Sequence, residues 1–226
     1  HSFCSAVKGE WHVMGVTQAA GLSLKWFRDN FCDTEKAQAS AAGVDPYQIM
    51  DGEAAEVPIG SDRLLYLPYL MGERTPHLDP FARGAFLGLS AKHTKADMLR
   101  AVMEGVTFSL RDCLTIFGES GIRADSMMAC GGGASSPLWR QMLADVFGCT
   151  VITPQSNDGG ALGAALLAAT GAGAYRDVPE ACAAAIRTKT EQKPDPAHTA
   201  EYEKYYRIYR DAYAAIRPVV HGLCEL

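Results

Sequence analysis

The clearest chemical signal in the sequence is a glycine-rich turn between a hydrophobic run and a helix. Gly131, Gly132 and Gly133 follow the hydrophobic run, and Ser136 and Pro137 supply an N-cap and a first residue for the next helix. Bare glycine backbone and the free N–H groups of a helix start suit a phosphate or an adenosine. The turn matches neither the dinucleotide fingerprint nor the P-loop, so a tight turn that binds nothing is an equally good interpretation.

A second turn, from Asn157 through Ala164, repeats this order of residues. Glycine and alanine at helical spacing also let a helix lie close against a sheet. Close packing is therefore the favoured role for Gly163 and Ala164.

The polar loop from Glu73 to Arg83 has two interpretations. It could cover a substrate, or its charges could pair with one another at the surface, where each ion pair contributes little. Elsewhere the histidines lack metal-ligand spacing and no nucleophile motif occurs, which predicts no metal site. No carboxylate stands out as a general base, so no catalytic residue is predicted on this chain.

The composition limits the classes of protein to which the chain can belong. Its 226 residues include 26 acidic and 21 basic side chains, for a net charge of −5, which provides no overall basic field for nucleic acid or anionic lipid. At about 150 residues per domain, the length predicts one large domain or a domain with an appendage. Any phosphate must be held by local groups.

Cysteine usage and hydropathy indicate the compartment. The seven cysteines form no C-x-x-C pair, and runs such as Met127 to Cys130 place them among apolar residues. This favours buried, reduced thiols in a cytoplasmic protein. The first residues resemble no signal peptide. The apolar run Gly159 to Ala174 is shorter than the ~20 residues of a membrane span, so it predicts a buried helix and no membrane association.

Hydrophobic periodicity and turn signals predict alternating strands and helices. The predicted elements are hairpin strands at 3–7 and 11–15, a helix over 16–31, short surface helices within 33–62, strands at 64–70 and 85–89, a capped helix over 95–117, a strand at 127–130 with a helix over 137–147, and a strand at 150–153 with a helix over 161–170. Strands joined through helices predict an α/β domain with a mostly parallel sheet.

The C-terminal region, 198–221, predicts one long helix, with its regular part at 199–217. Its tyrosines at 202, 206, 209 and 213 alternate by four and three residues. Such a stripe can form a coiled-coil seam, which would allow a homodimer. Docking of the helix on the chain's own domain is the favoured interpretation.

Several segments resemble a known family. Gly84 to Leu89, followed after seven residues by 97–104, is similar to the C-terminal signature of the FGGY carbohydrate kinases. The turn at 131–136 resembles the family's adenosine motif, and 158–164 resembles its second connecting helix. Within the family, 1–15 and 67–84 are most similar to members that phosphorylate D-xylulose.

The resemblance implies a fold and an activity. The fold is an actin-like (ribonuclease H-like) ATPase domain over residues 1–226, the C-terminal lobe of a two-lobed sugar kinase, without the N-terminal lobe. The activity is transfer of the γ-phosphoryl group of Mg·ATP to D-xylulose, with ATP and Mg²⁺ as cofactors. The implied partners are the sugar and the chain's own N-terminal lobe. The family's catalytic Asp belongs to a Gly-Asp motif upstream of the matched residues, so we expect the isolated chain to be inactive.

The resemblance also implies nucleotide-binding residues. Carried over by position, Gly131, Gly132, Gly133 and Ser136 form the adenosine motif. On the first helix, Gly21 and Lys25 form the opposite wall of the adenine pocket. Glycerol kinase, another family member, has Asn and Gln at the positions of Ser136 and Lys25.

Alternatives to this interpretation stay open. The chain could be a stand-alone nucleotide-binding or interaction module without catalysis, or the sugar could be ribulose, gluconate or glycerol. An NAD-binding Rossmann domain is disfavoured, because the first glycine-rich turn comes late and lacks the fingerprint.

Overall fold

The computed structural model describes residues 1–156 and 158–226, and Asn157 of the second turn lies outside the described residues. The elements in chain order are β1 (Ser2–Cys4), β2 (Trp11–Val13), α1 (Ala20–Phe31), α2 (Asp33–Ala42), α3 (Pro46–Ala55), β3 (Leu65–Leu67), β4 (Ala85–Leu87), α4 (Lys95–Glu119), β5 (Ser126–Met128), α5 (Pro137–Phe147), β6 (Thr150–Pro154), α6 (Gly159–Gly171), α7 (Val178–Ala185), β7 (Thr188–Gln192) and α8 (Pro196–Cys224). Short 3-10 helices cover Ser61–Arg63 and Gly132–Ser135.

Within residues 1–156 and 158–226 the strands form three small sheets. β1 pairs with β2 and β3 pairs with β4, both antiparallel. In the third sheet β6 lies between β5, to which it is parallel, and β7, to which it is antiparallel. The predicted α/β class is confirmed, but the prediction of a mostly parallel sheet was wrong. The pairs β1–β2 and β3–β4 are antiparallel because each is connected without a crossover helix. The antiparallel strand β7 was not predicted because it is polar and lacks hydrophobic alternation.

Helix boundaries follow local hydrogen bonding. The predicted hairpin is confirmed with shorter strands, and α5 matches its prediction. α4 begins with the predicted capping box, in which Thr94 and Asp97 exchange hydrogen bonds. α1 starts at Ala20, four residues later than predicted, because the preceding segment pairs with the loop after β3. There Val16 and Thr75 bond reciprocally, with the Val16 N–H donating to the Thr75 Oγ1 at 3.1 Å.

Helix α4 occupies the centre of the domain. At 1.5 Å per residue, its 25 residues span about 38 Å, and α1, α3, α5, α8 and β3 all pack on it. Its closest approach is to β3, where Gly105 lies against the Tyr66 carbonyl. A Cβ at Gly105 would lie 2.0 Å from that oxygen, so only glycine fits without displacing the strand.

Helix α8 docks along the domain, as favoured from the sequence, and extends beyond its predicted limits. Tyr202, Tyr206, Tyr209 and Tyr213 are all buried. Their hydroxyl groups find partners inside the protein, including Arg100 Nη2 on α4 at 2.7 Å from the Tyr202 oxygen. The tyrosine stripe is therefore part of the core.

The loop between β3 and β4 is fixed onto α8. The Asp79 carboxylate is 5% exposed and accepts from Tyr213 at 2.5 Å and from His221 at 2.7 Å. Burial alone would raise the pKa of Asp79, but these hydrogen bonds outweigh it and hold the pKa at about 2. The interpretation of the loop as surface ion pairs was wrong, because Asp79 and Glu73 are buried. A role as substrate cover stays a prediction.

Two predictions of burial were wrong. α6 was expected to be buried, but Leu166 is its one buried residue among those described, and a Cβ at Gly163 would meet only open space. An Ala, Gly and Leu composition predicts that a helix needs an apolar partner without specifying which one. Cys130 is exposed, while Cys32, Cys113 and Cys149 are buried. All seven thiols are free.

The hydropathy prediction can also be checked against the helices. Within the described part of the chain, no helix is long and apolar enough to cross a bilayer.

Replacing Gly105 with alanine tests the contact between α4 and β3. We expect Gly105→Ala to lower the free energy of unfolding by about 3 kcal/mol, because the methyl group overpacks against backbone that cannot move away cheaply. Gly118→Ala on the same helix is the matched control. A Cβ at Gly118 meets nothing within 4 Å, so helix propensity should make it neutral or stabilising by about 0.5–1 kcal/mol. Urea denaturation measures both, and equal effects would contradict the contact.

A second prediction concerns the buried carboxyl of Glu73. Its Oε1 accepts from the N–H groups of Gln18 and Arg74, while Oε2 has no partner among the described residues. Burial raises the pKa of Glu73 to about 7. Ionisation is therefore harder in the folded state, so wild type should lose stability relative to Glu73→Gln as the pH rises from 4.5 to 7. From 1.36 kcal/mol per pKa unit, the loss is on the order of 3 kcal/mol.

Thermal or urea unfolding of wild type and Glu73→Gln at pH 4, 5, 6, 7 and 8 measures this difference. It should be small at pH 4 and constant above the raised pKa. A difference that does not vary with pH would show that the carboxyl titrates normally.

Candidate functional site

Two cavities meet at the glycine-rich turn. The first, here called the polar cavity, has a volume of about 390 Å³, within the usual range for small-molecule sites. Its lining residues come from α1, from α3 with its N-cap, and from the turn with the start of α5: Gly21, Leu24, Asp45, Tyr47, Gln48, Asp51, Gly132, Gly133, Ser135, Ser136 and Trp139. The second, the apolar cavity, has a volume of about 450 Å³ and shares Gly21, Gly132, Gly133 and Trp139 with the first.

The turn between β5 and α5 has the backbone that its sequence predicts. Gly131 has a φ of 83°, a left-handed conformation that favours glycine, and it leads into the 3-10 helix at Gly132–Ser135. Ser136 is the N-cap of α5, and its Oγ accepts from the Trp139 N–H at 3.0 Å. Gly132 and Gly133 therefore present bare backbone to both cavities.

Trp139 fixes the turn to the central helix. Its indole Nε1 donates to the Thr107 Oγ1 of α4 at 2.9 Å. Its ring lies against Gly133, where an added Cβ would be 3.2 Å from the ring. The position of the glycine wall is thus set by α4 through a buried hydrogen bond.

The first helix contributes Gly21 to both cavities but does not bring Lys25 to either. A Cβ on Gly21 would meet nothing within 4 Å, so this part of the wall is open to the cavity. The Lys25 amine lies 2.6 Å from Asp29, and the lysine side chain is 59% exposed. Lys25 therefore sits on the solvent face of α1 in an ordinary i,i+4 ion pair.

A further wall of the polar cavity comes from α3, in which the sequence suggested no function. Asp45 caps this helix, its Oδ1 accepting from the Tyr47 N–H at 2.9 Å. Tyr47, Gln48 and Asp51 lie on one helical face and line the cavity. The signal in the sequence was this i, i+1, i+4 set of polar residues behind an N-cap, beside the stripe that buries Met50 and Ala54.

The electrostatics of the polar cavity centre on Asp51. Partial burial raises the pKa of the Asp51 carboxyl, while the Ser136 hydroxyl and the Arg140 guanidinium act in the opposite direction. Arg140 is itself held by the carbonyls of Ala134 and Ser135, at 2.8 and 3.1 Å. The arrangement offers hydrogen bonding and bare backbone. Among the described residues it offers no group of three His, Cys, Asp or Glu that could hold a metal ion.

Of the predicted site residues, the structure brings Gly21, Gly132, Gly133 and Ser136 together around one cavity. Gly131 lies at the entrance to the turn, outside the lining residues. A larger groove of about 750 Å³ lies elsewhere, between the β3–β4 hairpin and α8, and the predicted residues do not line it. Its walls are mainly apolar side chains such as Leu65, Leu87 and Ile208.

Comparison with known proteins identifies the family. Residues 1–172 match the FGGY family of carbohydrate kinases, C-terminal domain. The xylulose kinase of Bacillus subtilis is 38% identical over 213 residues, covering 94% of this chain and 41% of that protein. The gluconokinase of the same organism is 39% identical over 167 residues, covering 73% and 33%.

The solved structures agree with the sequence comparison. The crystal structure of a xyloylose kinase from Brucella ovis superimposes with a TM-score of 0.81 and 31% identity, over 97% of this chain and 43% of that one. The chain thus spans less than half the length of the relatives it matches. With its glycine turn and cavities in a fold shared with these kinases, the chain belongs to the FGGY family of carbohydrate kinases and matches the C-terminal domain of that family.

Proposed function

We propose that the chain is the nucleotide-side domain of an ATP-dependent kinase that phosphorylates D-xylulose. The observation that carries this proposal is the polar cavity itself, in which Gly21, Gly132, Gly133 and Ser136 converge from separate segments of the chain. A cavity with bare backbone on one wall and hydrogen-bonding side chains on the other suits a nucleoside.

The residues present fit the adenosine part of ATP. Added Cβ atoms on Gly21 and Gly132 would meet nothing within 4 Å in the protein, so these glycines leave space that a ligand can fill. Ser136, at the start of α5, adds a hydroxyl beside the positive end of the helix dipole. When bound, ATP supplies the phosphoryl group for transfer. Mg²⁺ would be held mainly by the nucleotide phosphates and water, which supply most of its ligands in such sites.

The proposal includes an N-terminal lobe that supplies the catalytic carboxylate. Exposed apolar side chains on this chain support such a partner. Phe3 and Trp11 on the β1–β2 hairpin and Leu167 on α6 are 47%, 69% and 47% exposed. On the hairpin Phe3 pairs with His12 and Trp11 with Cys4, so these two aromatic side chains stand exposed on opposite faces of a two-stranded ribbon. Such a ribbon is only marginally stable by itself and is typical of an element that packs on another part of a protein. The isolated chain is then inactive, and the kinase acts in the cytoplasm.

D-xylulose is preferred over other sugars because several of the most similar relatives are xylulose kinases. Gluconate is the second candidate, because a gluconokinase is similarly identical over a shorter segment. A binding module without catalysis is the competing function, and a homodimer also stays a prediction.

Nucleotide binding to this chain tests the site. We expect the chain to bind ADP in isothermal titration calorimetry and Gly132→Val to weaken binding at least about tenfold, because the new side chain fills space beside bare backbone without meeting protein atoms. Gly118→Val is the control for glycine replacement. Lys25→Ala should leave binding unchanged, because the amine is engaged by Asp29. Weaker ADP binding by Lys25→Ala would show that Lys25 belongs to the nucleotide site. If wild type does not bind ADP, the proposed nucleotide-binding role of this chain is wrong.

Phosphoryl transfer tests the sugar. The protein that carries this chain together with an N-terminal lobe should release ADP from ATP on addition of D-xylulose. The measurement is a coupled ADP-release assay with D-xylulose, L-ribulose, gluconate and glycerol compared at equal concentrations. Stronger stimulation by gluconate would contradict the substrate assignment, and ADP binding without stimulation by any sugar would favour the module.

A further inference from the structure

We propose that Asp51 selects the nucleobase, by accepting a hydrogen bond from the exocyclic amine of adenine. The inference rests on the proposed nucleotide site and adds to it the residue that distinguishes one purine from another. The nucleotide-binding residues implied by family resemblance do not include Asp51 or any other residue of α3.

The glycine wall of the polar cavity cannot read a base. Gly132 and Gly133 offer backbone without side chains, a surface on which any flat ring can lie. Apart from Ser135 and Ser136 at the end of the turn, the polar side chains that line the cavity are mainly on α3, which presents Tyr47, Gln48 and Asp51. This helix therefore supplies most of the groups that can discriminate between bases. Hydrogen-bonding groups opposite a featureless surface are the arrangement by which sites distinguish ligands of equal shape.

Charge sets the direction in which a nucleotide can lie in this cavity. Asp45 and Asp51 are the carboxylates among its lining residues, and both stand on the α3 side. The polyphosphate of a nucleotide is repelled by these groups, so the base faces α3 and the phosphates point away from it. Asp45 caps the start of α3 through Oδ1, whereas the Asp51 carboxyl lies beside Ser136 at the end of the glycine turn. Asp51 is thus the carboxylate next to the surface on which the base would lie.

The chemistry of a carboxylate then selects among the purines. An ionised carboxylate only accepts hydrogen bonds, so it pairs with the amine of adenine. Hypoxanthine carries a repelling carbonyl oxygen at that position, and it could pair through its one adjacent ring N–H only by shifting in the cavity. Guanine could still pair through its two adjacent N–H groups, which would need both carboxylate oxygens. The Ser136 hydroxyl also interacts with Asp51, which favours a ligand that needs one oxygen.

The test is the binding of ADP, inosine diphosphate and GDP to this chain, measured by calorimetry for wild type, Asp51→Asn and Asp51→Ala. Wild type should prefer ADP over inosine diphosphate by roughly 10- to 100-fold, the range expected for a hydrogen bond to a charged group. Asp51→Asn is close to isosteric, and its amide can both donate and accept, so the preference should fall to within about threefold. Asp51→Ala should lose ADP affinity without gaining inosine diphosphate affinity.

Asp33→Asn is the control for net charge, because Asp33 is an exposed carboxylate on α2, outside the cavity, and is paired with Lys36. It should keep the wild-type preference, and thermal melting should show that all variants are folded. An unchanged preference in Asp51→Asn, or tighter binding of GDP than of ADP to wild type, would overturn this inference and leave the proposed function standing. Binding of none of the three nucleotides to wild type would overturn both.

Discussion

The buried ion pair between Arg100 and Glu104 on α4 is the interaction on which the placement of α3, and of the backbone that follows it, depends. The Arg100 Nε lies 3.0 Å from the Glu104 Oε1, and both side chains are almost completely buried. Arg100 also donates to the Ala54 carbonyl at the end of α3 and to Tyr202 of α8. A buried charge is tolerated only when it is paired and fully hydrogen-bonded. These bonds therefore fix α3, the wall that carries Asp51, relative to the central helix.

Glu104 also holds an unusual stretch of backbone. Ser61, Asp62 and Arg63 have φ values of 48°, 53° and 74°, and the left-handed conformation costs roughly 1–2 kcal/mol for each residue with a side chain. The Gly60 N–H and the Ser61 hydroxyl donate to the two Glu104 oxygens at 3.0 and 2.9 Å. Bonds to a buried carboxylate are strong enough to offset much of this strain. The same pair thus determines how the chain leaves α3 and enters β3.

The sequence correctly predicted the elements whose limits depend on neighbouring residues. It was less successful for elements whose limits or burial depend on contacts with residues far away in the chain. The N-cap at Ser136, the capping box at Thr94 and the limits of α5 depend on neighbouring residues, and all were predictable. α1 begins late because Thr75 and Glu73, more than 50 residues away, bond to the segment before it. β7 is polar and pairs only as an edge strand. α6 is apolar throughout, and its composition could not reveal that the described residues leave it largely uncovered.

The same limit explains which parts of the candidate site were found. A run of glycines indicates a turn by residue type alone, so Gly132 and Gly133 could be predicted from the sequence. Gly21 was predicted from family resemblance. Tyr47, Gln48 and Asp51 are ordinary residues of a surface helix until Arg100 docks that helix opposite the turn. Lys25 shows the converse, because resemblance placed it in the adenine pocket whereas Asp29, one turn further along, pairs with its amine on the solvent face of α1. A helix contributes to a site through the face that its packing presents. For α3 that face is set jointly by the buried Met50 and Ala54 and by the bond from Arg100 to the Ala54 carbonyl. A periodic pattern of apolar residues encodes the first of these contributions but not the second.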